Sequence, residues 1–200
     1  MLIIGASGHG KVILETCREA GIQVSSFMDN DPQKLGELMG IPVILEDFTA
    51  INDNHVIIGI GDNTIRKNIA KTIEATGIKV QPFLAHPLSG LAKGLQIGEG
   101  TVIFMNAAIQ VDSIIGKHCI INTSASIDHD CTIADFVHVA PNATLCGGIS
   151  VGEGTFIGAN ATILPNVKIG KNCIVGAGSV LITDLNDNQK VVGNPARIIT

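Results

Sequence analysis

The 200-residue sequence has no tryptophan and no tyrosine, and six phenylalanines make up its whole aromatic content. A core without large rings must be built from Ile, Val, Leu and Ala. Positive charge is also scarce. Thirteen Lys and Arg stand against 18 Asp and Glu, for a formal net charge of −5, and no basic run occurs. That removes the electrostatic footprint of a nucleic-acid binder. No apolar stretch approaches the roughly 18 residues of a membrane span, so no membrane insertion is expected. No two cysteines are spaced C-x-x-C, and Cys17, Cys119, Cys131, Cys146 and Cys173 are odd in number. Reduced thiols in a cytoplasmic protein are expected rather than a disulfide framework. Met1-Leu2-Ile3-Ile4-Gly5 lacks a basic leader and reads as a strand, not a signal peptide.

What is present is apolar residue, at 46%, and glycine, 23 of them, many regularly spaced. The chain divides into two halves with different periods. Residues 1–87 alternate strands and helices. Leu2 to Ile4 is a strand, Gly5-Ala6-Ser7-Gly8-His9-Gly10 a turn, and 11–20 a helix closed by Gly21. Strands follow at 22–28 and 56–61, and a helix over 63–76 is stopped by Gly77. This alternation predicts a parallel sheet of half-Rossmann type.

Residues 88–200 follow another rule. Every sixth residue from Ile97 to Leu181 is Ile, Val or Leu, fifteen positions without a break. Neither a helix, with a period of about 3.6, nor a strand, with a period of about 2, produces this. A hexapeptide repeat does, and it marks a parallel β-helix. Three hexads per triangular coil make five coils, with the aliphatic residue pointing inward and small residues such as Ala107, Cys119, Ala125 and Ala161 near the corners. The first half and the tail after Asn186 are placed to cover the two open ends.

The most suggestive segment is Asn122-Thr123-Ser124-Ala125-Ser126-Ile127-Asp128-His129-Asp130. His129 falls at a corner, outside the core, where a neutral imidazole acts as a general base near neutral pH. Asp130 is placed to bond the ring and stabilise its protonated form. One coil later stand Gly147 and Gly148. They leave space above the base, and the Gly147 N–H is placed to stabilise the oxyanion of a thioester under attack. His138 is expected on or near the prism surface, half a coil from His129, so the two meet only across a subunit interface; His118 stacks near it. His55 and His86 read as structural. In the first half, the glycine turn after a strand suits a phosphate at a helix N-terminus, and Asp29 suits a ribose or a base.

These motifs resemble the NeuD/PglD-like sugar acetyltransferases over essentially the whole chain. The marks are the glycine turn, Phe27-Met28-Asp29, Ile60-Gly61-Asp62-Asn63 with Arg66, the His129 segment, Phe136-Val137-His138-Val139 and Val192-Gly193-Asn194-Pro195-Ala196-Arg197. The resemblance is closest to the UDP-4-amino-sugar N-acetyltransferases of bacillosamine synthesis. It implies a left-handed β-helix, a homotrimer with sites between subunits, and acetyl-CoA as co-substrate without a metal. The acceptor it implies is the amine of a nucleotide-linked, UDP-type 4-amino-4,6-dideoxy sugar. It implies His129 as base, Asp130 as its partner in place of the family's Glu, and Gly147 as oxyanion donor. His138, Ala159 and Ala177 are implied for acetyl-CoA. Ser7, Gly8, His9, Asp29, Asn30, Gly61 and Asn122 are implied for the nucleotide sugar. Three other readings stand beside it: a sugar O-acetyltransferase, a γ-carbonic-anhydrase-like metal enzyme using His118, His129 and His138, and a non-catalytic nucleotide-sugar sensor.

Overall fold

The computed structural model describes residues 1–51 and 55–199. The first half is a five-stranded sheet with two helices: β1 (Leu2–Ile4), α1 (Gly8–Glu19), β2 (Ser26–Asp29), β3 (Gly36–Leu38), β4 (Ile41–Leu45), β5 (Val56–Ile58) and α2 (Asn63–Thr76). Strand order is β3-β4-β2-β1-β5, parallel except for the β3–β4 hairpin. That hairpin had no period strong enough to be read from the sequence. The order reverses beside β1, and ligands in open α/β sheets bind outside the strand C-termini at such a point. α1 starts at Gly8 rather than at residue 11, with Ser7 extended before it. The glycine turn is therefore the first turn of the helix. Gly10 lies so close to the Gly5 carbonyl that any Cβ there would collide with it. α2 ends where expected, at Gly77 with φ 72°.

The second half is a left-handed three-sided prism of parallel strands. Its sheets hold eight, six and five strands. Strands pair eighteen residues apart, as Ala108 does with Ser126 and Ser126 with Thr144, until the last coil, where Ile174 pairs with Lys190 sixteen residues on. The inward ladder is the expected one, and Ile103, Ile109, Ile121, Ile127, Val139 and Leu145 are fully buried. It begins earlier than Ile97, because Leu91 and Ala85 continue the six-residue step and pack against the same core. Ala85 is too small to be seen in an aliphatic count.

Each corner turns on one left-handed residue, again every six positions: Asn106, Asp112, Asp130, Asn142, Asn160, Asn166 and Asn172 have φ between 53° and 65°. Asn and Asp tolerate this region better than other non-glycine residues. Small corner residues also do more than save space. Thr101 Oγ1 donates to Gly116 O (2.7 Å), Ser113 Oγ to Asp128 O (2.8 Å) and Thr155 Oγ1 to Gly170 O (2.8 Å), so an inward carbonyl fifteen residues on is satisfied.

The tail closes one end of the prism through a hairpin of Lys190–Val192 and Arg197–Ile199, with Val191 and Ala196 in the core. The α/β unit does not stopper the other end. It docks on one side, where the outward residues Leu84, Val102 and Ile120 join Ile3, Ile13 and Phe27 in a single buried cluster. Among the described residues no helix is long and apolar enough to cross a membrane.

Candidate active site

His129 and Asp130 occupy the corner between strands Ser126–Ile127 and Thr132–Ile133. The left-handed backbone of Asp130 (φ 59°) turns its carboxylate back to the ring, and His129 Nδ1–H donates to Asp130 Oδ2 at 2.7 Å. Nε2 is left as the free basic nitrogen. Asp128 Oδ1 accepts the His129 N–H at 2.8 Å, and His129 O accepts from Gly148 N at 2.9 Å, so the corner is fixed from both sides. The Asp130 hydrogen bond, helped by the Asp128 charge, raises the His129 pKa above its ordinary value. The sequence marked Asp128 as part of this segment but gave it no role; its place directly before the histidine was the available signal.

Gly147 lies against the face of this ring. A Cβ there would stand 2.6 Å from His129 Cε1 and 2.7 Å from Nε2. The Gly147 N–H has no acceptor among the described residues. Both members of the expected stack, base and glycine, thus line one open groove of about 410 Å³, whose walls include Cys146, Gly148, Pro165 and Asn166. The corner offers a base and an unpaired N–H side by side.

The other expected residues gather elsewhere. Ser7 and Gly8 begin α1, and Gly8 is exposed with open space where a side chain would be. The first N–H groups of a helix lack internal partners, which suits an anion. Asp29 and Asn30 line a pocket of about 180 Å³ with Gly5, Lys34 and Glu46. Asp29 is spent largely within the protein. Its oxygens accept from Ala6 N (2.7 Å), Asp31 N (3.0 Å) and Lys34 Nζ (3.0 Å). Burial opposes its charge, but these bonds prevail and lower its pKa.

His138 departs from expectation. It points out of the prism but is only 9% exposed, because the docked α/β unit covers it. Its Nδ1–H donates to Gly61 O (3.3 Å), its Nε2 accepts from Asn122 Nδ2 (3.1 Å), and the His9 ring lies 6.4 Å away. Burial, then the Arg66 charge, brings the His138 pKa down to about 4. Burial and Arg66 likewise bring His9 down to about 4. Both rings are neutral. His118 is 6% exposed and stacks on Phe136, not on His138. With His118 and His138 sealed in this seam, neither is free to share a metal with a second chain, and no ligand cluster for a metal exists among the described residues. His86 Nδ1 accepts from Leu88 N (3.1 Å), a structural role, and the His55 backbone carbonyl accepts from Leu2 N (3.1 Å).

Ala159 and Ala177 stand one coil apart, joined by Gly178 N to Ala159 O (2.8 Å), in the column that continues upward from Thr123 and Pro141. This is the corner beside Asn122 and His138, not the corner of His129. One chain therefore brings together His129, Asp130 and Gly147, and separately His9, Gly61, Asn122 and His138.

Comparison with known proteins accords with this geometry. Residues 1–73 match the PglD N-terminal domain, and residues 148–183 match the six-repeat bacterial transferase hexapeptide family. Perosamine N-acetyltransferase from Caulobacter crescentus, solved with CoA and GDP-perosamine, is 35% identical, with a TM-score of 0.95 over 100% of this chain and 96% of that one. The chain belongs to the PglD-like sugar N-acetyltransferases. The acetyltransferase domain of PglB from Neisseria gonorrhoeae, solved with acetyl coenzyme A, is 33% identical with a TM-score of 0.93, covering 99% of this chain and 98% of that one. A UDP-N-acetylbacillosamine N-acetyltransferase from Bacillus subtilis is 41% identical over 110 residues, 50% of this chain and 49% of that protein.

Proposed function

We propose that the protein moves the acetyl group of acetyl-CoA to the amine of a nucleotide-linked 4-amino-4,6-dideoxy sugar, with His129 as general base and UDP as the nucleotide. The observation that carries this reading is the His129 corner, where a free Nε2 lies beside the unpaired Gly147 N–H. The sugar nitrogen attacks the thioester carbonyl carbon while Nε2 takes its proton. The Gly147 N–H receives the oxyanion, the C–S bond breaks, and the proton on Nε2 passes to the CoA thiolate. Positioning two substrates, base catalysis and oxyanion stabilisation supply the rate.

The division of the site residues between two corners supports a homotrimer in which the His129 corner of one chain faces the His9–Asn122–His138 seam of the next. The column of Ala159 and Ala177 then lines the pantetheine arm, and the turn at Ser7 and Gly8 holds the nucleotide diphosphate. Five free cysteines fit a reducing, cytoplasmic setting.

The direct test is thiol release from acetyl-CoA with UDP- and GDP-linked 4-amino sugars, and with the matching 4-hydroxy sugars. Release with the UDP-linked amine alone is expected; preference for the hydroxyl acceptors would assign an O-acetyltransferase. The pH profile gives a second test. A base works when neutral, so kcat/KM rises with pH through a pKa held above the ordinary 6.5 by Asp130 and Asp128. In Asp130→Asn the largest cause of that elevation is lost. The acidic limb is expected to move to lower pH, with a lower plateau.

A further inference from the structure

We infer that Lys34 and Glu46 are specificity-determining residues that read the base of the nucleotide sugar. They select a base with a carbonyl beside a ring N–H, as in uracil and guanine. They reject one with an amino group beside a bare ring nitrogen, as in cytosine and adenine. The inference rests on the acetyl-transfer reading above and adds to it the side chains that meet the base.

The carboxyl ends of β1, β2 and β4 and the start of α2 enclose a pocket of about 180 Å³. An open α/β sheet takes its ligand at such a place. The pocket adjoins the turn that would hold the diphosphate, because Asp29 Oδ2 accepts from the N–H of Ala6, the residue before Ser7. Sites for whole drug-sized molecules run to about 300–1,000 Å³, so this space suits a ring system rather than a nucleotide. Ile60, Ile65 and Ile69 form an apolar wall. Ile65 is 52% exposed in the first turn of α2, an open aliphatic surface that the face of a base would cover.

Asp29 is the nearest polar group, and it is not free. A carboxylate offers about four lone-pair sites. Oδ2 accepts from Ala6 N (2.7 Å) and Lys34 Nζ (3.0 Å), and Oδ1 from Asp31 N (3.0 Å) and Lys34 Nζ (3.2 Å). Asp29 therefore meets a ligand through Lys34, whose ammonium keeps a further N–H and is 38% exposed. Glu46 follows β4 and lines the same pocket, half-buried. Its backbone N–H donates to Asp29 O at 3.0 Å, which fixes it beside β2. Among the described residues its carboxylate has no hydrogen bond or ion pair, because Lys34 is turned to Asp29 instead. A cation and a carboxylate thus share a small pocket without pairing, and a ligand that spans them must accept at one end and donate at the other.

Uracil does so through O4 and N3–H, and guanine through O6 and N1–H. Lys34 donates to the oxygen, and Glu46 receives the N–H. In cytosine and adenine the order is reversed. An amino group would meet Lys34, which accepts nothing, and a bare ring nitrogen would meet the Glu46 carboxylate, which donates nothing. Polar groups left facing each other unpaired make the wrong base costly.

Calorimetric titration of the parent with UDP, GDP, CDP and ADP tests this without acetyl-CoA. UDP and GDP are expected to bind at least about tenfold tighter than CDP and ADP, the lower range for one correctly paired base edge. Glu46→Gln supplies an amide able to donate to a bare ring nitrogen, and Lys34→Met frees Asp29 to accept from an amino group. In each variant the UDP-to-CDP affinity ratio should fall about tenfold, whereas a merely structural loss would weaken all four nucleotides alike. Equal affinity of the parent for UDP and CDP, or a ratio unchanged in either variant, overturns the inference while the acetyl-transfer reading stands. Failure of the parent to bind any of the four overturns it too, and absence of thiol release with every amino sugar overturns the acetyl-transfer reading with it.

Discussion

His129→Ala is expected to lower kcat for acetyl transfer by about 10²–10⁴-fold, the usual worth of a positioned general base. Affinity for CoA and the thermal midpoint should change little. The His129 side chain is 56% exposed and its one side-chain bond is to Asp130, itself 64% exposed, so the fold has little to lose. The residual rate should still exceed that in solution, because the donor at Gly147 and the approximation of two substrates remain. Single-turnover kinetics with acetyl-CoA and the amino sugar, paired with calorimetric titration of CoA, separates the two effects. A large drop in kcat with unchanged CoA affinity assigns the base. Turnover within a few-fold of the parent would mean that the amine loses its proton elsewhere.

The prism was legible because its energetics are local and periodic. A ladder of Ile127, Ile133, Val139 and Leu145 closes a core without reference to anything distant, and the eighteen-residue coil follows from it. The same arithmetic placed Gly147 over His129 before any coordinates, and the structure has it there. Periodicity was blind to whatever depends on docking. It placed His138 outside the core, which is correct for the prism, but it had no means of seeing that Leu84, Val102 and Ile120 form an apolar flank that attracts the α/β unit over it. A further signal lay in plain view and was passed over. Asn, Asp or Gly recurs one step past the turn of most hexads, where the backbone is left-handed; Ser124, His118 and Phe136 break that rule, and the last two are bulky. Two bulky residues in a conformation that favours small polar ones mark a place where something outside the prism holds them.

Arg66 is what holds them, and its replacement is expected to carry the largest cost in stability. It is 1% exposed, and among the described residues its hydrogen bonds go to carbonyl and amide oxygens rather than to a carboxylate. Nε donates to His118 O (2.8 Å), Nη2 to Phe136 O (2.9 Å) and Asn63 Oδ1 (2.7 Å), and Nη1 to Ile60 O (3.2 Å) and Gly61 O (3.1 Å). The guanidinium thus binds the carbonyls of both strained corner residues and of the β5–α2 turn at once. One step up the same column, Asn63 Nδ2 donates to Gly154 O at 2.8 Å. Burial lowers the Arg66 pKa to about 10, still far above neutrality, so the charge persists. A hydrogen bond from a charged donor contributes about 1.5–3 kcal/mol, and a buried acceptor left unpaired costs a further ~1–3 kcal/mol. Even with strong non-additivity, Arg66→Met should lower the free energy of unfolding by at least about 3 kcal/mol. Urea titration measures this, and Asn63→Ala, which removes the bonds to Gly154 and Thr155 and only one of those made by Arg66, gives a milder point if the first variant does not accumulate. Gly61 O also accepts from His138 Nδ1. Loosening that turn should therefore raise KM for the sugar acceptor more than it lowers the CoA affinity of the His129 corner. A stability change below about 1 kcal/mol would mean that the carbonyls find water readily, and that the apolar flank alone keeps the two halves together.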